Sequence, residues 1–271
     1  LSGGVSVQAV GQTSQITVQE DAATALAEDE KLVCAVDGDT LRIRFMSDAN
    51  RDSFEGEKFL TVSLPWELVK NLHFEEIDIE TASAYAYVSA DAAQKIELST
   101  LSGDARVMGA SCPEVEIETT SGNAGVVDGT WTRVDISTLS GAVELAGDTE
   151  SAEIETTSGK VDIAGALGAL DFESISGDLT LSSERALRLD AETTSGTVRL
   201  YLPELSGFDL DFSTTSGALE SPLTDREGTV VACGDRFTRY SVPALEGGDM
   251  SELTVKTVSG GLQIVAASGS N

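Results

Sequence analysis

Eight acidic residues recur at one position of a repeated pattern: Asp78, Glu97, Glu116, Asp135, Glu153, Asp171, Asp190 and Asp211. Each stands six residues before a small residue, Ala84 for the first and the glycine of a Ser-Gly pair for the others, and Thr254 breaks the series in the last copy. If the copies stack as coils, the carboxylates form an outward column with a spacing of about 4.8 Å. Such a ladder has the chemistry to bind calcium, a hard cation that takes several oxygens at about 2.3–2.6 Å. The glycine-rich nonapeptide of calcium-binding β-rolls is absent, however. The preferred reading is a solvated face whose like charges keep a flat sheet from associating sideways. Glu80, Glu118, Glu155, Glu173 and Glu192, two residues further along, widen the band.

Catalytic chemistry has less to build on. Paired carboxylates could serve glycoside hydrolysis, but acids are so abundant here that pairs are unspecific. A lyase acting on acidic polysaccharide would want clustered cations, and Arg106, Lys160, Arg199 and Lys256 are dispersed. The single histidine, His73, has apolar neighbours, so a nucleophile–base arrangement would rest on it alone. Trp131, beside Asp128-Gly129-Thr130, could stack on a sugar if exposed, but is expected to cover an edge of the core. Cys34, Cys112 and Cys233 are far apart and show neither zinc nor redox spacing.

Composition narrows the partners. Against 46 Asp and Glu stand 17 Lys and Arg, a formal charge of −29, which repels nucleic-acid backbones and anionic lipid headgroups. No apolar run is long enough to span a membrane. The chain starts at Leu1 without a methionine, so an upstream anchor or signal is expected to have been removed.

The elements that position these residues come from the repeat. Ser-Gly occurs at 102–103, 121–122, 140–141, 158–159, 176–177, 195–196, 216–217 and 259–260, with Gly-to-Gly steps of 19, 19, 18, 18, 19, 21 and 43. A degenerate copy sits at Ser83-Ala84. The seventh and fifth residues before each corner are apolar throughout, and the third is Thr except at Ser174. Shared parity predicts that these three positions and the serine all point inward. Apolar alternation resumes after the glycine, as in Val161 and Ile163 or Leu179 and Leu181. The expected fold is all-β: a β-solenoid of nine to ten coils of about 19 residues, each with two short strands. The glycine is expected to supply positive φ, the serine to bond local backbone, and the inward threonines to bond one another.

Residues 1–75 lack the repeat and are expected to form a β-rich cap continuous with the solenoid. In it Leu32-Val36 and Thr40-Phe45 form a hairpin, Asp21-Glu30 a short helix or polar loop, and Trp66 and Phe74 the anchors. Residues 76–271 form the repeat region, interrupted at 218–252 by a second hairpin, Thr229-Cys233 with Arg236-Val242, before Gly247-Gly248-Asp249 resets the coil.

Leu64-Pro65, the serial Thr-Thr-Ser-Gly and Thr-Leu-Ser-Gly corners, Leu202-Pro203 and Thr257-Val258-Ser259-Gly260 resemble a family of bacterial candidate adhesins, a domain of unknown function with repeated Thr-x-Ser-Gly coils. The resemblance runs from about residue 60 to the end. It implies a β-solenoid, frequent placement outside the bacterial membrane behind an N-terminal anchor, and no established enzymatic activity; corner residues shape turns and transfer no catalytic role. Taken together, the expected function is a non-enzymatic, extracytoplasmic, adhesin-like module for a protein or glycan at the cell surface. Alternatives are a sensory or regulatory domain of an envelope-stress system and a polysaccharide-degrading β-helix enzyme.

Overall fold

The computed structural model describes residues 2–11, 14–45, 56–71, 74–91, 93–234 and 237–267. The chain is a β-solenoid. One ladder of parallel strands forms its first face, starting with Phe74–Thr81, Ala93–Thr100 and Cys112–Thr119. The chain then turns at each Ser-Gly corner, and the strands after the corners, such as Tyr85–Ser89, Ala105–Met108 and Val161–Gly165, stack into a second ladder. In the middle of the rod the second strand of one coil runs straight into the first strand of the next, giving Ala124–Thr138 and Val143–Thr156.

The core follows the predicted alternation. Among the residues five before the corner, all nine are buried, from Ile79 to Val255. Those seven before it are buried too, apart from Ile77 in the end coil, which is half-buried. Val161, Ile163, Leu179 and Leu181 complete the interior from the other face.

The corner works differently from the expectation. None of the Ser-Gly glycines has a positive φ. Each is required because the coil beneath comes too close: a Cβ on Gly159 would sit 1.9 Å from the Gly141 carbonyl oxygen, and one on Gly122 1.8 Å from that of Gly103. The threonine hydroxyls do not chain along the axis. Each closes its own corner by accepting from the glycine amide three residues on, at 2.9 Å for Thr100 and Gly103 and 3.0 Å for Thr138 and Gly141. The serines are exposed, since the strand has ended at the threonine and parity no longer applies. Their hydroxyls donate to carbonyls of the neighbouring coil, as Ser121 does to Leu101. Positive φ belongs instead to the second corner, at Gly109, Gly147 and Gly165, where Gly129, Gly147 and Gly165 form a further glycine stack.

At both ends spatial order departs from chain order. The corner glycines stack as 177, 196, 260, 217, so the last coil, Met250–Thr257 with Leu262–Ala266, lies inside the one that precedes it, Gly207–Thr214 with Leu219–Glu220. Phe237–Val242 then pairs antiparallel with Gly207–Thr214, and Val230–Cys233 with Phe237–Val242. The expected turn residues Asp235 and Arg236 lie outside the described residues. The Arg226 guanidinium holds this cap by donating to the carbonyls of Ser206, Pro243 and Glu204.

At the other end Ser2–Val10 lies between Tyr85–Ser89 and Glu57–Pro65, with Thr17–Ala22 antiparallel on the outside. Val33–Asp37 and Thr40–Arg44 make a separate hairpin, and residues 23–32 form a loop, not a helix. The expected anchor Trp66 is exposed on the helix Trp66–Asn71, with Lys70 over its ring, and Phe74 is only half-buried. The anchor is Lys58, fully buried, its Nζ 2.7 Å from Glu20, bonded to the carbonyls of Glu30 and Phe45, and over the Phe45 ring.

Candidate functional site

The acidic column is real as geometry. Glu97 lies beside Asp78, Glu116 beside Glu97, Asp135 beside Glu116, and the register continues through Glu153 and Asp171 to Asp190. Because the last coil is inserted, Thr254 stands between Asp190 and Asp211 in space. All eight acidic residues therefore share one face.

The row is not a bare stack of carboxylates. Lys95 reaches both Glu97 at 2.9 Å and Glu116 at 2.6 Å. Arg133 reaches Asp135 at 2.8 Å and Glu153 at 2.9 Å. Arg239, from the antiparallel cap, lies 2.9 Å from Asp211, and Lys256 pairs with Glu192 and lies 3.9 Å from Asp190. Hydrogen bonds to Glu116 and Glu97 push the Lys95 pKa up, and Asp135 does the same for Arg133. These cations relieve the cost of like charges facing one another in a sheet. Lys95 and Arg133, two residues before the acids of their own coils, were missed from sequence because their reach to the neighbouring coil is a tertiary distance.

Asp78, at the open end of the row, keeps a raised pKa: burial contributes most, then the charges of Glu97, Glu76 and Glu80, with Lys95 opposing. Among the described residues, no group of three or more His, Cys, Asp or Glu side chains is arranged to hold a metal ion. The carboxylates form an open row spanned by ammonium and guanidinium groups.

The remaining candidates disperse. His73 lies outside the described residues. Trp131 is 1% exposed, packed under Gly129 and Gly147, and so belongs to the core rather than to a sugar platform. Cys112 is a buried free thiol whose pKa burial pushes up to about 11, while Cys34 and Cys233 are exposed and free at opposite ends of the molecule. No helix among the described residues is long and apolar enough to cross a membrane.

A second surface feature follows the Ser-Gly corners. The residue between the threonine and the serine points outward in every coil, and a trough of about 750 Å³ runs beside this ridge, with Glu155, Glu173 and Glu192 in its lining. Its walls are the corner ridge on one side and the wider band of acids on the other.

No curated protein matches the sequence. A solved structure of a candidate cell adhesion protein from Clostridium sporogenes aligns over 98% of this chain and 89% of its own, at 13% identity and a TM-score of 0.26, a likeness too weak to argue from. A family model, by contrast, matches nearly the whole chain: Toastrack DUF4097 covers residues 5–265, and the chain belongs to that family.

Proposed function

We propose that the chain is a non-enzymatic, adhesin-like interaction module of the cell envelope, working outside the cytoplasm, that presents its acidic face and corner ridge to a protein or glycan. The observation that carries this reading is that the same exposed chemistry is repeated coil after coil along the rod. Retaining and inverting glycosidases set two carboxyl groups on opposite sides of one bond, about 5–9.5 Å apart. Here neighbouring carboxylates stand side by side on one flat face, tied to Lys95 and Arg133. A repeated surface suits binding to an extended or multivalent target, since many weak contacts add through effective concentration.

The test is binding of the fluorescently labelled chain to intact bacterial and host cells, alongside incubation with acidic and neutral polysaccharides. Saturable cell binding displaced by unlabelled chain, with no new reducing ends or unsaturated sugars released, is the expected result. Turnover of any polysaccharide, or the absence of saturable binding to every surface, overturns the reading.

A further inference from the structure

The outward residue of each Ser-Gly corner alternates in character from coil to coil. In stacking order the ridge reads Leu101, Thr120, Leu139, Thr157, Ile175, Thr194, and then Val258 from the inserted last coil before Thr215. In chain order the alternation fails at Thr194 and Thr215; the insertion restores it. The four aliphatic residues are 63%, 53%, 58% and 50% exposed, large values for side chains that make no use of water. Across the trough Glu155 and Glu192 stand in the threonine coils and Glu173 in an aliphatic one, while Lys256 of the inserted coil also lines it and pairs with Glu192. Among the described residues Glu155 and Glu173 form no ion pair.

We propose that this trough binds an extended, proline-rich, basic polypeptide segment lying along the solenoid axis. The proposal rests on the interaction-module reading and names its partner chemistry. Two coils advance about 9.6 Å, and a polyproline II helix advances about 9.3 Å per three-residue turn. Over the three intervals from Leu101 to Val258 the ladder spans about 29 Å, against about 28 Å for three polyproline turns and about 31.5 Å for three seven-residue repeats of an α-helix. Polyproline therefore stays in register where a helix drifts by half a coil. Each turn would set an apolar ring between aliphatic rungs, with cations against Glu155 and Glu173, since Glu192 is already held by Lys256. The preformed helix also has little conformational entropy to lose on binding. A second copy of this chain would bring its own carboxylates against Glu155 and Glu173, so charge favours a basic occupant.

The probe is a labelled Pro-Pro-Lys repeat of about twelve residues, enough to cover all four rungs, titrated against the whole chain by fluorescence anisotropy. Saturable binding is expected, with Pro-Pro-Glu silent and the flexible Gly-Gly-Lys repeat of equal charge at least tenfold weaker. Leu139→Ser with Ile175→Ser should weaken Pro-Pro-Lys binding at least tenfold. So should Glu155→Gln with Glu173→Gln, a pair of exposed changes that tests the trough should the apolar pair disturb folding. Glu144→Gln, on the other face, should leave binding unchanged. Equal affinity for Gly-Gly-Lys, or indifference to both trough variants, would reduce the effect to general attraction by a polyanion and overturn the proposal. So would sedimentation showing that the chain dimerises through these rungs. Saturable cell binding without peptide binding removes only this occupant; loss of both removes the interaction-module reading itself.

Discussion

The middle of the rod and its two ends are built by different rules. From Ala93 to Leu202 each coil lies on the one before it, and a local pattern of three or four residue types is enough to set the register. At the ends the chain leaves that order. Ser2–Val10 and the coil of residues 250–266 are each sandwiched, and the outermost strands are antiparallel. A stack of identical coils leaves unpaired strand edges that invite further stacking. Antiparallel strands cannot continue a parallel solenoid, so they stop it. On the first face the starting edge is Phe74–Thr81, which carries Glu75, Glu76, Asp78 and Glu80 and is blunted by charge instead. Regularity makes the rod, and departures from regularity end it.

The sharpest way to break this comparison is at glycine. Gly159→Val should cost at least about 3 kcal/mol, because the Gly141 carbonyl already fills the Cβ position and stacked backbones cannot part locally. Gly159→Ala should be nearly as damaging, which a requirement for positive φ alone would not produce. In the end hairpin Gly38 has φ +61° and nothing within 4 Å of a Cβ, so Gly38→Ala should cost only about 1 kcal/mol. Thermal melts of the three variants decide the matter; equal costs at the two sites would mean that the corner stack is looser than described.

Next in size is Lys58→Ala, which leaves Glu20 with the Leu32 amide but no counter-charge and unties the loop carbonyls of Glu30 and Phe45, at about 3 kcal/mol. The loss should be local. Hydrogen exchange should rise in Thr17–Ala22 and the Val33–Arg44 hairpin while Ile117, Ile136 and Ile154 stay protected. Uniform acceleration would show that rod and cap unfold as one unit.

Thiol chemistry separates the regions without mutation. At pH 8 the exposed Cys34 and Cys233 should react with a disulfide reagent within minutes, whereas Cys112, in the rod, should remain unmodified until the protein is denatured. A third fast thiol would contradict the packing around Cys112.

The smallest effect is at the charged edge. Because the folded pKa of Asp78 lies above its unfolded value, its ionisation disfavours the fold, and stability from this group falls as pH rises through the window just above the ordinary aspartate value. Asp78→Asn should raise the melting temperature at pH 7 by about 1–2 °C and remove that slope. A lower melting temperature would mean that the carboxylate is favourably bonded.

The sequence by itself determined the solenoid, the buried apolar positions of the coils though not the outward turn of the corner serines, the two hairpins and the common face of Asp78 through Asp211. Each of these follows from periodicity, which is a local property of side-chain type and strand parity. Why the corner glycines are required is not local: a glycine needed for φ and one needed for clearance look alike until the neighbouring coil is in place. The same holds for Lys95 and Arg133, whose carboxylate partners lie on adjacent strands, and for Lys58, an ordinary lysine in sequence that the fold buries. The stacking position of residues 250–266 is decided at longest range, since the pattern that pairs a coil with its predecessor pairs it equally well with the coil before that. Only the antiparallel cap on Gly207–Thr214, leaving one vacant layer beneath, selects where the last coil goes, and with it the alternation along the corner ridge.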